Sequence, residues 1–169
     1  MDDLNRSKIP APFVSERISV RPEWVDYNGH MNVGYYQVAF DKAFDEMYDF
    51  LGVGAEAIKR TGISTFVAEA HLTYQQEVRA GDRLRITTQL LGFDAKRFHA
   101  FQAMYHAADG YLAATAEWLI LCVDLRLRRV TAVPEALRDL LTRVLASHDA
   151  LPPPPEVGRR VSLASRRPR

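Results

Sequence analysis

The chain has 169 residues, 47% hydrophobic side chains and a net charge of +1, which predicts one domain with an adequate core. Basic residues concentrate in the segment 150–169, with five arginines against one glutamate, so the composition does not indicate a nucleic-acid partner. A single cysteine, Cys122, excludes an intrachain disulfide. No segment resembles a signal peptide or reaches the length of a membrane span, so we expect a cytoplasmic protein with no membrane partner.

The first half of the chain predicts a strand followed by a long helix. Residues 1–12 read as a loose arm, and residues 13–25 as an extended segment interrupted by Pro22. Residues 33–51 then place apolar side chains at three- and four-residue steps, the pattern of an amphipathic helix. Asn32 is the expected N-cap and Gly52 the expected terminator. The apolar face is broad and aromatic, which favours a helix wrapped by a sheet.

The second half predicts a sheet and a closing helix. A helical turn is expected at 55–60, followed by hairpin-linked strands near 63–78, 83–90, 97–107 and 111–125. Alternation in the first of these strands puts Phe66, Ala70 and Tyr74 on one face and Glu69 on the other. A helix is expected at 134–147. The predicted organisation is an α+β domain spanning residues 13–149, with a flexible Pro/Arg-rich tail at 150–169.

The segment 26–32 carries the chemistry of the chain. It places Asp26, Asn28, Gly29, His30 and Asn32 at the predicted start of the helix. Free backbone N–H groups and the positive end of the helix dipole both stabilise a developing negative charge there. Hydrolysis of esters or thioesters needs a base or nucleophile beside such donors. The competing interpretation is a polar loop in which Asp26 or Asn32 only caps the helix.

This segment resembles the motifs of hotdog-fold acyl-CoA thioesterases. Asp26 and Gly29 match the Asp-x-x-Gly step of 4-hydroxybenzoyl-CoA thioesterase-like enzymes, and the alternating Asp, Asn, His and Asn residues resemble acyl-carrier-protein thioesterases. The resemblance covers about residues 13–147. It implies a hotdog fold, in which a five-stranded antiparallel sheet wraps a long central helix. The run 24–32 is most similar to thioesterases of carnitine breakdown, some of which are fused behind an L-carnitine dehydrogenase, with betainyl-CoA as the implied substrate.

The resemblance also implies roles for individual residues. Asp26 is expected to act as nucleophile or as general base, with the N–H groups of Gly29 and His30 as oxyanion donors. His30 would orient the carboxylate, bind the thioester oxygen or protonate the leaving thiolate, and Asn28 would hold water or the carbonyl oxygen. Asn32 is expected to cap the helix and to contribute to substrate binding. Glu69 is the alternative acid, because some hotdog enzymes take their carboxylate from another element.

Aromatic and basic residues complete the predicted site. A quaternary ammonium is attracted by aromatic faces, so a betaine-like acyl group would explain the aromatic residues around the motif. The basic pair Lys96 and Arg97 is expected to bind the phosphates of CoA. The predicted substrate-binding aromatics are Tyr27, Tyr35, Phe66 and Trp118, beside Trp24 and Tyr36.

Two other functions stay open at this point. An enoyl-thioester hydratase or dehydratase would share the fold, but the Asp-x-Asn-Pro-x-His spacing of those enzymes is absent, since only Gly29 separates Asn28 from His30. A non-catalytic acyl-CoA-binding protein is the other alternative. No metal and no cofactor are expected, because the histidines show no metal-ligand spacing. The resemblance implies a homodimer or a dimer of dimers, with the acyl site between subunits.

Overall fold

The computed structural model describes residues 8–163 and consists of one sheet packed against helices. A single 3₁₀ turn, Pro22–Trp24, precedes the long helix. No helix in the described range is long and apolar enough to cross a membrane. The elements, in chain order, are β1 (Phe13–Ser19), α1 (Val33–Leu51), α2 (Ala55–Thr61), β2 (Ile63–Tyr74), β3 (Arg83–Phe93), β4 (Arg97–His106), β5 (Leu112–Asp124), β6 (Arg129–Val130) and α3 (Glu135–His148).

Helix α1 begins and ends where its capping residues predict. The Asn32 side chain accepts a hydrogen bond from the Gly34 N–H at 3.0 Å, which satisfies one of the unpaired donors of the first turn. Gly52 ends the helix in the left-handed conformation with φ of 68°, which glycine adopts without steric cost. The predicted helix at 33–51 is therefore confirmed, and so is its buried apolar face, formed by Tyr36, Ala39, Phe40, Ala43, Phe44, Met47 and Leu51.

The antiparallel sheet wraps around this helix. Its strand order is β1-β3-β4-β5-β2, with the two-residue β6 beside β5. Two contacts fix the centre of the sheet on the middle of α1. The buried Gln102 amide on β4 donates to the Phe40 carbonyl at 3.1 Å, and the Trp118 ring on β5 packs edge-on against Phe40 and Phe44. One helix enclosed by one antiparallel sheet is the α+β hotdog arrangement that the resemblance implied.

The predicted hairpin between the second and third strands is wrong. Strand β2 pairs with β5, not with β3, so residues 75–82 cross from one edge of the sheet towards the other. The crossing segment is held by backbone bonds: Val78 accepts from the Met31 N–H and Asp82 accepts from the Val20 N–H, both at 2.8 Å. Because of this crossover, β2 is an edge strand, and residues 66–70 on it are exposed.

A one-residue bulge in β2 changes the face on which Phe66 lies. The register with β5 shifts between Val67 and Glu69. As a result, Val67 pairs with Ile120 on the side of α1, whereas Phe66 pairs with Leu121 on the outer side of the sheet. The alternation prediction that Phe66 shares a face with Ala70 is therefore wrong, because one inserted residue reverses the side-chain parity of a strand.

Residues 152–158, after α3, lie against the outer face of the sheet. The Gly158 N–H donates to a Glu117 carboxylate oxygen at 2.7 Å, and the run of four prolines starting at Pro152 lines a groove over β3, β4 and β5. Outward-facing Phe101 and Thr115 are consequently buried. Part of the predicted 150–169 tail thus contacts the domain, while residues 164–169 lie outside the described residues, as do residues 1–7 of the predicted arm.

Candidate active site

The motif forms a tight loop between the 3₁₀ turn and α1. Val25 and Met31 pair across its base as an antiparallel bridge. Within the loop, the Gly29 N–H donates to the Asp26 carbonyl at 2.9 Å, and the Asp26 N–H donates to the His30 carbonyl at 3.2 Å. Gly29 has φ of 80°, a conformation that favours glycine. These backbone bonds fix the positions of Asp26 and His30 relative to the start of the helix.

The Asp26 carboxylate is held by two donors from its own loop. One oxygen accepts from the Asn28 backbone N–H at 2.8 Å, and the other accepts from the Asn32 side-chain amide at 3.0 Å. The Asn28 N–H is the larger cause and the Asn32 amide the second cause of a lowered Asp26 pKa, with His30 contributing further. Asp26 is therefore ionised at neutral pH, as a carboxylate nucleophile or base must be.

Asn32 links the helix cap to this carboxylate. Its Oδ1 accepts from the Gly34 N–H, so its Nδ2 is directed to Asp26, and one amide performs both functions. The sequence predicted Asn32 as cap with a role in the site. The structure confirms the cap and gives Asn32 a contact with the carboxylate.

The predicted pair of oxyanion donors needs a correction. Gly29 is not available, because its N–H closes the turn on the Asp26 carbonyl. Besides the N–H of the exposed Tyr27, two backbone N–H groups of residues 26–33 have no acceptor among residues 8–163, those of His30 and of Val33, the first residue of α1. Both residues line the same pocket. Within the described part of the chain, the His30 and Val33 N–H groups are therefore available to an acceptor that enters this pocket.

His30 lies at the wall of a surface pocket of about 360 Å³. Its Nδ1 is 3.2 Å from the Met31 carbonyl, and a bond there makes Nδ1 the protonated nitrogen and leaves Nε2 to accept a proton or bind substrate. The pocket is open to solvent. Its lining residues are His30, Met31, Val33, Tyr36, Tyr74, Gln75, Gln76 and Glu77.

The predicted aromatic residues are only partly brought together. Tyr36 lines the pocket, and its ring meets Tyr74 edge to face with centroids 5.2 Å apart. Trp24 is buried, with Tyr35 stacked on it and the Arg21 guanidinium 5.6 Å from its ring centroid, so both Trp24 and Tyr35 are engaged within the fold. These two residues do not line the pocket, and neither do the three others: Tyr27 is 98% exposed, Phe66 lies on the outer face of the sheet and Trp118 is buried under α1.

The predicted acid and cations also lie away from Asp26 within one chain. Glu69 pairs with Leu119 on the outer face of the sheet, opposite α1. Lys96 and Arg97 lie at the hairpin between β3 and β4, and the Arg97 guanidinium is 2.6 Å from Asp94. The motif is bonded to Val78 in the segment that leads into β3, so it lies towards the other end of these strands, roughly 30 Å away for a ten-residue strand.

Sequence reasoning missed Tyr74 and Glu77 as site residues. Alternation predicts that Tyr74 shares a face with Ala70, which the pairing with β5 confirms, but the sequence did not connect Tyr74 with the motif. The connection depends on the crossover, in which Val78 accepts a hydrogen bond from Met31. Both residues could have been found only if the pairing of β2 with β5 had been predicted from the sequence.

Comparisons with known proteins identify the family of the chain. The model of the thioesterase-like superfamily matches residues 20–141. A betainyl-CoA thioesterase of Pseudomonas aeruginosa PAO1 is 36% identical over 144 residues, which cover 85% of this chain and 91% of that protein. A Rhizobium sp. L-carnitine dehydrogenase/betainyl-CoA thioesterase is 35% identical over 140 residues, which cover 83% of this chain and 28% of that longer protein.

Among solved structures, a Staphylococcus aureus protein in complex with CoA superimposes with a TM-score of 0.84. At 24% identity, with 94% of this chain and 99% of that chain covered, this likeness concerns the fold. The sequence matches extend from the end of β1 into α3 and include the whole Asp26 loop. The chain belongs to the thioesterase-like superfamily.

Proposed function

We propose that this protein hydrolyses an acyl-CoA thioester, with Asp26 as the reacting carboxylate. The observation that carries the proposal is the geometry of the loop: an ionised, doubly hydrogen-bonded carboxylate lies just before the N-terminus of α1, in the same loop as two backbone N–H groups that have no acceptor among residues 8–163. Such donors stabilise the oxyanion that forms when a thioester carbonyl is attacked. No metal or cofactor is needed for this reaction.

Asp26 serves hydrolysis by one of two balanced routes. As a base, it takes a proton from water, whose oxygen adds to the carbonyl carbon, and the carbon–sulfur bond then breaks to release CoA thiolate. As a nucleophile, Asp26 adds to the carbonyl carbon itself, CoA thiolate leaves, and water hydrolyses the resulting anhydride. With Nδ1–H bonded to the Met31 carbonyl, His30 Nε2 is a proton acceptor, and its proposed role is to take up the proton released from water and pass it to the departing thiolate.

For the acyl group, we propose betaine and related short cationic acids. The support is the identity of 36% to a betainyl-CoA thioesterase and the pair of tyrosine rings in the pocket beside His30. A pocket of about 360 Å³ suits a compact acyl group better than a long saturated chain. A role in carnitine breakdown, in the cytoplasm, is the setting that this substrate suggests.

We further propose that the active form is a homodimer, or a dimer of dimers, joined through β2. This strand is a twelve-residue edge whose exposed residues include Phe66 and Val67, and such an edge pairs readily with another strand. A two-fold axis would pair two copies of β2 antiparallel. The Tyr74 end of one copy would then lie beside the Ile63 end of the other. Val67→Lys, which places a charge on this edge, is expected to yield monomers in sedimentation equilibrium.

The decisive experiment measures thiol release from a panel of acyl-CoA esters by the parent protein and by Asp26→Asn. We expect Asp26→Asn to lower kcat at least roughly 10²-fold, as for loss of a positioned base, whereas Glu69→Gln leaves it unchanged. Parental turnover in a folded Asp26→Asn protein together with loss in Glu69→Gln would identify Glu69 as the carboxylate. Loss of enoyl absorbance without thiol release would instead indicate a hydratase, and binding without any turnover a non-catalytic protein.

A further inference from the structure

The pocket beside His30 contains a corner made of two tyrosine rings. Tyr36 lies on α1, one turn after the Asn32 cap, and is buried. Tyr74 is the last residue of β2 and is 47% exposed. Their centroids are 5.2 Å apart and their planes meet at 81°, so the two rings form nearly perpendicular walls. Both rings line the pocket that also contains His30.

The carboxylate in the lining of this corner is paired with an arginine. Glu77 lines the pocket, and its carboxylate is 2.6 Å from the Arg79 guanidinium. This ion pair lowers the pKa of Glu77, so its carboxylate stays ionised at neutral pH. Arg79, the cation of this pair, follows Val78 in the chain. The Val78 carbonyl accepts a hydrogen bond from the Met31 N–H of the motif. Because Arg79 offsets the charge of Glu77, the two rings are the remaining groups of this pocket lining that attract a cation.

We propose that the Tyr36–Tyr74 corner binds the trimethylammonium group of the acyl chain and selects for it. This inference rests on the proposed function. In a betainyl thioester a single methylene separates the quaternary nitrogen from the reacting carbonyl, so the cation must bind next to the groups that act on the carbonyl. Tyr36 and Tyr74 meet this condition because they share a pocket with His30. The aromatic residues near the motif that do not line this pocket, such as Trp24, do not take part.

A neutral substrate of the same shape isolates the contribution of the charge. Betainyl-CoA and 3,3-dimethylbutanoyl-CoA differ only by nitrogen in place of carbon, so CoA binding and acyl size cancel in the ratio of their kcat/KM values. We expect the parent protein to favour betainyl-CoA. Tyr74→Leu, which replaces the ring at an exposed position, is expected to lower this ratio roughly 2- to 30-fold, the range of one cation–π contact. Tyr74→Phe keeps the ring and is expected to keep the ratio.

The matched control is Tyr105→Leu, which removes a half-buried tyrosine from the outer face of the sheet, away from the pocket. It is expected to leave the ratio unchanged. A second measurement is inhibition by tetramethylammonium, which tests the corner without any acyl group. The inhibition constant is expected to rise in Tyr74→Leu and to stay parental in Tyr74→Phe and Tyr105→Leu.

The outcomes separate this inference from the proposed function. If the parent protein releases thiol from neither ester nor from a wider panel, the proposed function fails. If it hydrolyses both esters equally well, thioesterase activity stands and selection for a cation is refuted. If it favours betainyl-CoA but Tyr74→Leu keeps both the ratio and the inhibition constant, the cation binds elsewhere and the corner is the wrong site.

Discussion

Substitutions at Asn32 can separate its two functions, because each uses a different atom of one amide. Oδ1 caps α1 by accepting from the Gly34 N–H, and Nδ2 donates to the Asp26 carboxylate; each hydrogen bond is 3.0 Å long. Serine keeps a capping oxygen but has no donor that replaces the amide, whereas alanine loses both. We therefore expect Asn32→Ser and Asn32→Ala to share one catalytic defect and to differ in stability.

The stability difference follows from the cap. Replacing an asparagine N-cap by alanine costs about 1 kcal/mol, whereas serine is close to neutral. For a domain of this size that cost corresponds to a fall in Tm of roughly 2–4 °C for Asn32→Ala. Thermal unfolding followed by circular dichroism at pH 7 measures it. Equal destabilisation by serine and alanine would refute the capping argument.

The catalytic effect follows from the carboxylate. Without the Asn32 amide, Asp26 keeps the Asn28 N–H bond, the larger cause of its lowered pKa, but loses the second cause. Its pKa therefore rises in both variants, and the acid limb of the kcat/KM profile moves to higher pH. We also expect kcat to fall roughly 10- to 100-fold, as for a misplaced catalytic group. A parental pH profile and parental kcat in Asn32→Ser would mean that Asn32 is a cap and nothing more.

Two further predictions concern other parts of the chain. Replacing both Lys96 and Arg97 by alanine should raise KM for CoA esters more than KM for short thioesters that lack the nucleotide. The reason is that, in a dimer paired through β2, the second copy brings its β3–β4 hairpin towards the pocket of the first. Equal effects on both kinds of substrate would exclude phosphate binding by this pair. The buried His148 accepts from the Leu90 N–H and donates to the Pro10 carbonyl, and burial lowers its pKa. The unfolded chain then binds a proton more readily, so Tm should fall as pH drops below about 6.5, the ordinary histidine value, and this dependence should weaken in His148→Gln.

Local signals predicted the helices of this fold well. The bounds of α1 follow from the capping residues on either side of an uninterrupted amphipathic pattern, and α3 begins within one residue of the proline that predicts it. The strands were found by alternation and turns. The order of the strands in the sheet was not predicted, because hairpins are the default connection and no local signal marks the crossover at 75–82. That crossover depends on tertiary contacts with Val20 and Met31.

The site was predictable where it depends on the loop itself. Asp26, Asn28, His30 and Asn32 lie within seven residues, and the structure brings all four together. Residues brought by other elements were not predictable, for two physical reasons. A bulge in β2 reverses the parity that placed Phe66, and the strand order determines which end of the sheet meets the motif. Gly29 was misjudged for a third reason, since its N–H is needed to close the turn.

The remaining question of which N–H groups bind the oxyanion can be answered by one substitution in the backbone. Val33 is the first residue of α1, its side chain is 57% exposed, and its N–H has no acceptor among residues 8–163. Proline is well tolerated at the first helical position, and Asn32, with ψ of 145°, already has the extended backbone that a residue before proline requires. Val33→Pro therefore removes one N–H with little other change.

If the Val33 N–H binds the oxyanion, Val33→Pro should lower kcat roughly 10²- to 10³-fold, the loss seen when one oxyanion donor is removed, with Tm close to the parental value. Val33→Ala keeps the N–H and removes most of the side chain, so it should retain parental kcat. The comparison separates a backbone effect from a side-chain effect, because both variants lose the same exposed valine. Parental turnover in Val33→Pro would exclude the helix start as a donor and leave the His30 N–H, fixed by the Val25–Met31 bridge, as the backbone group that stabilises the transition state.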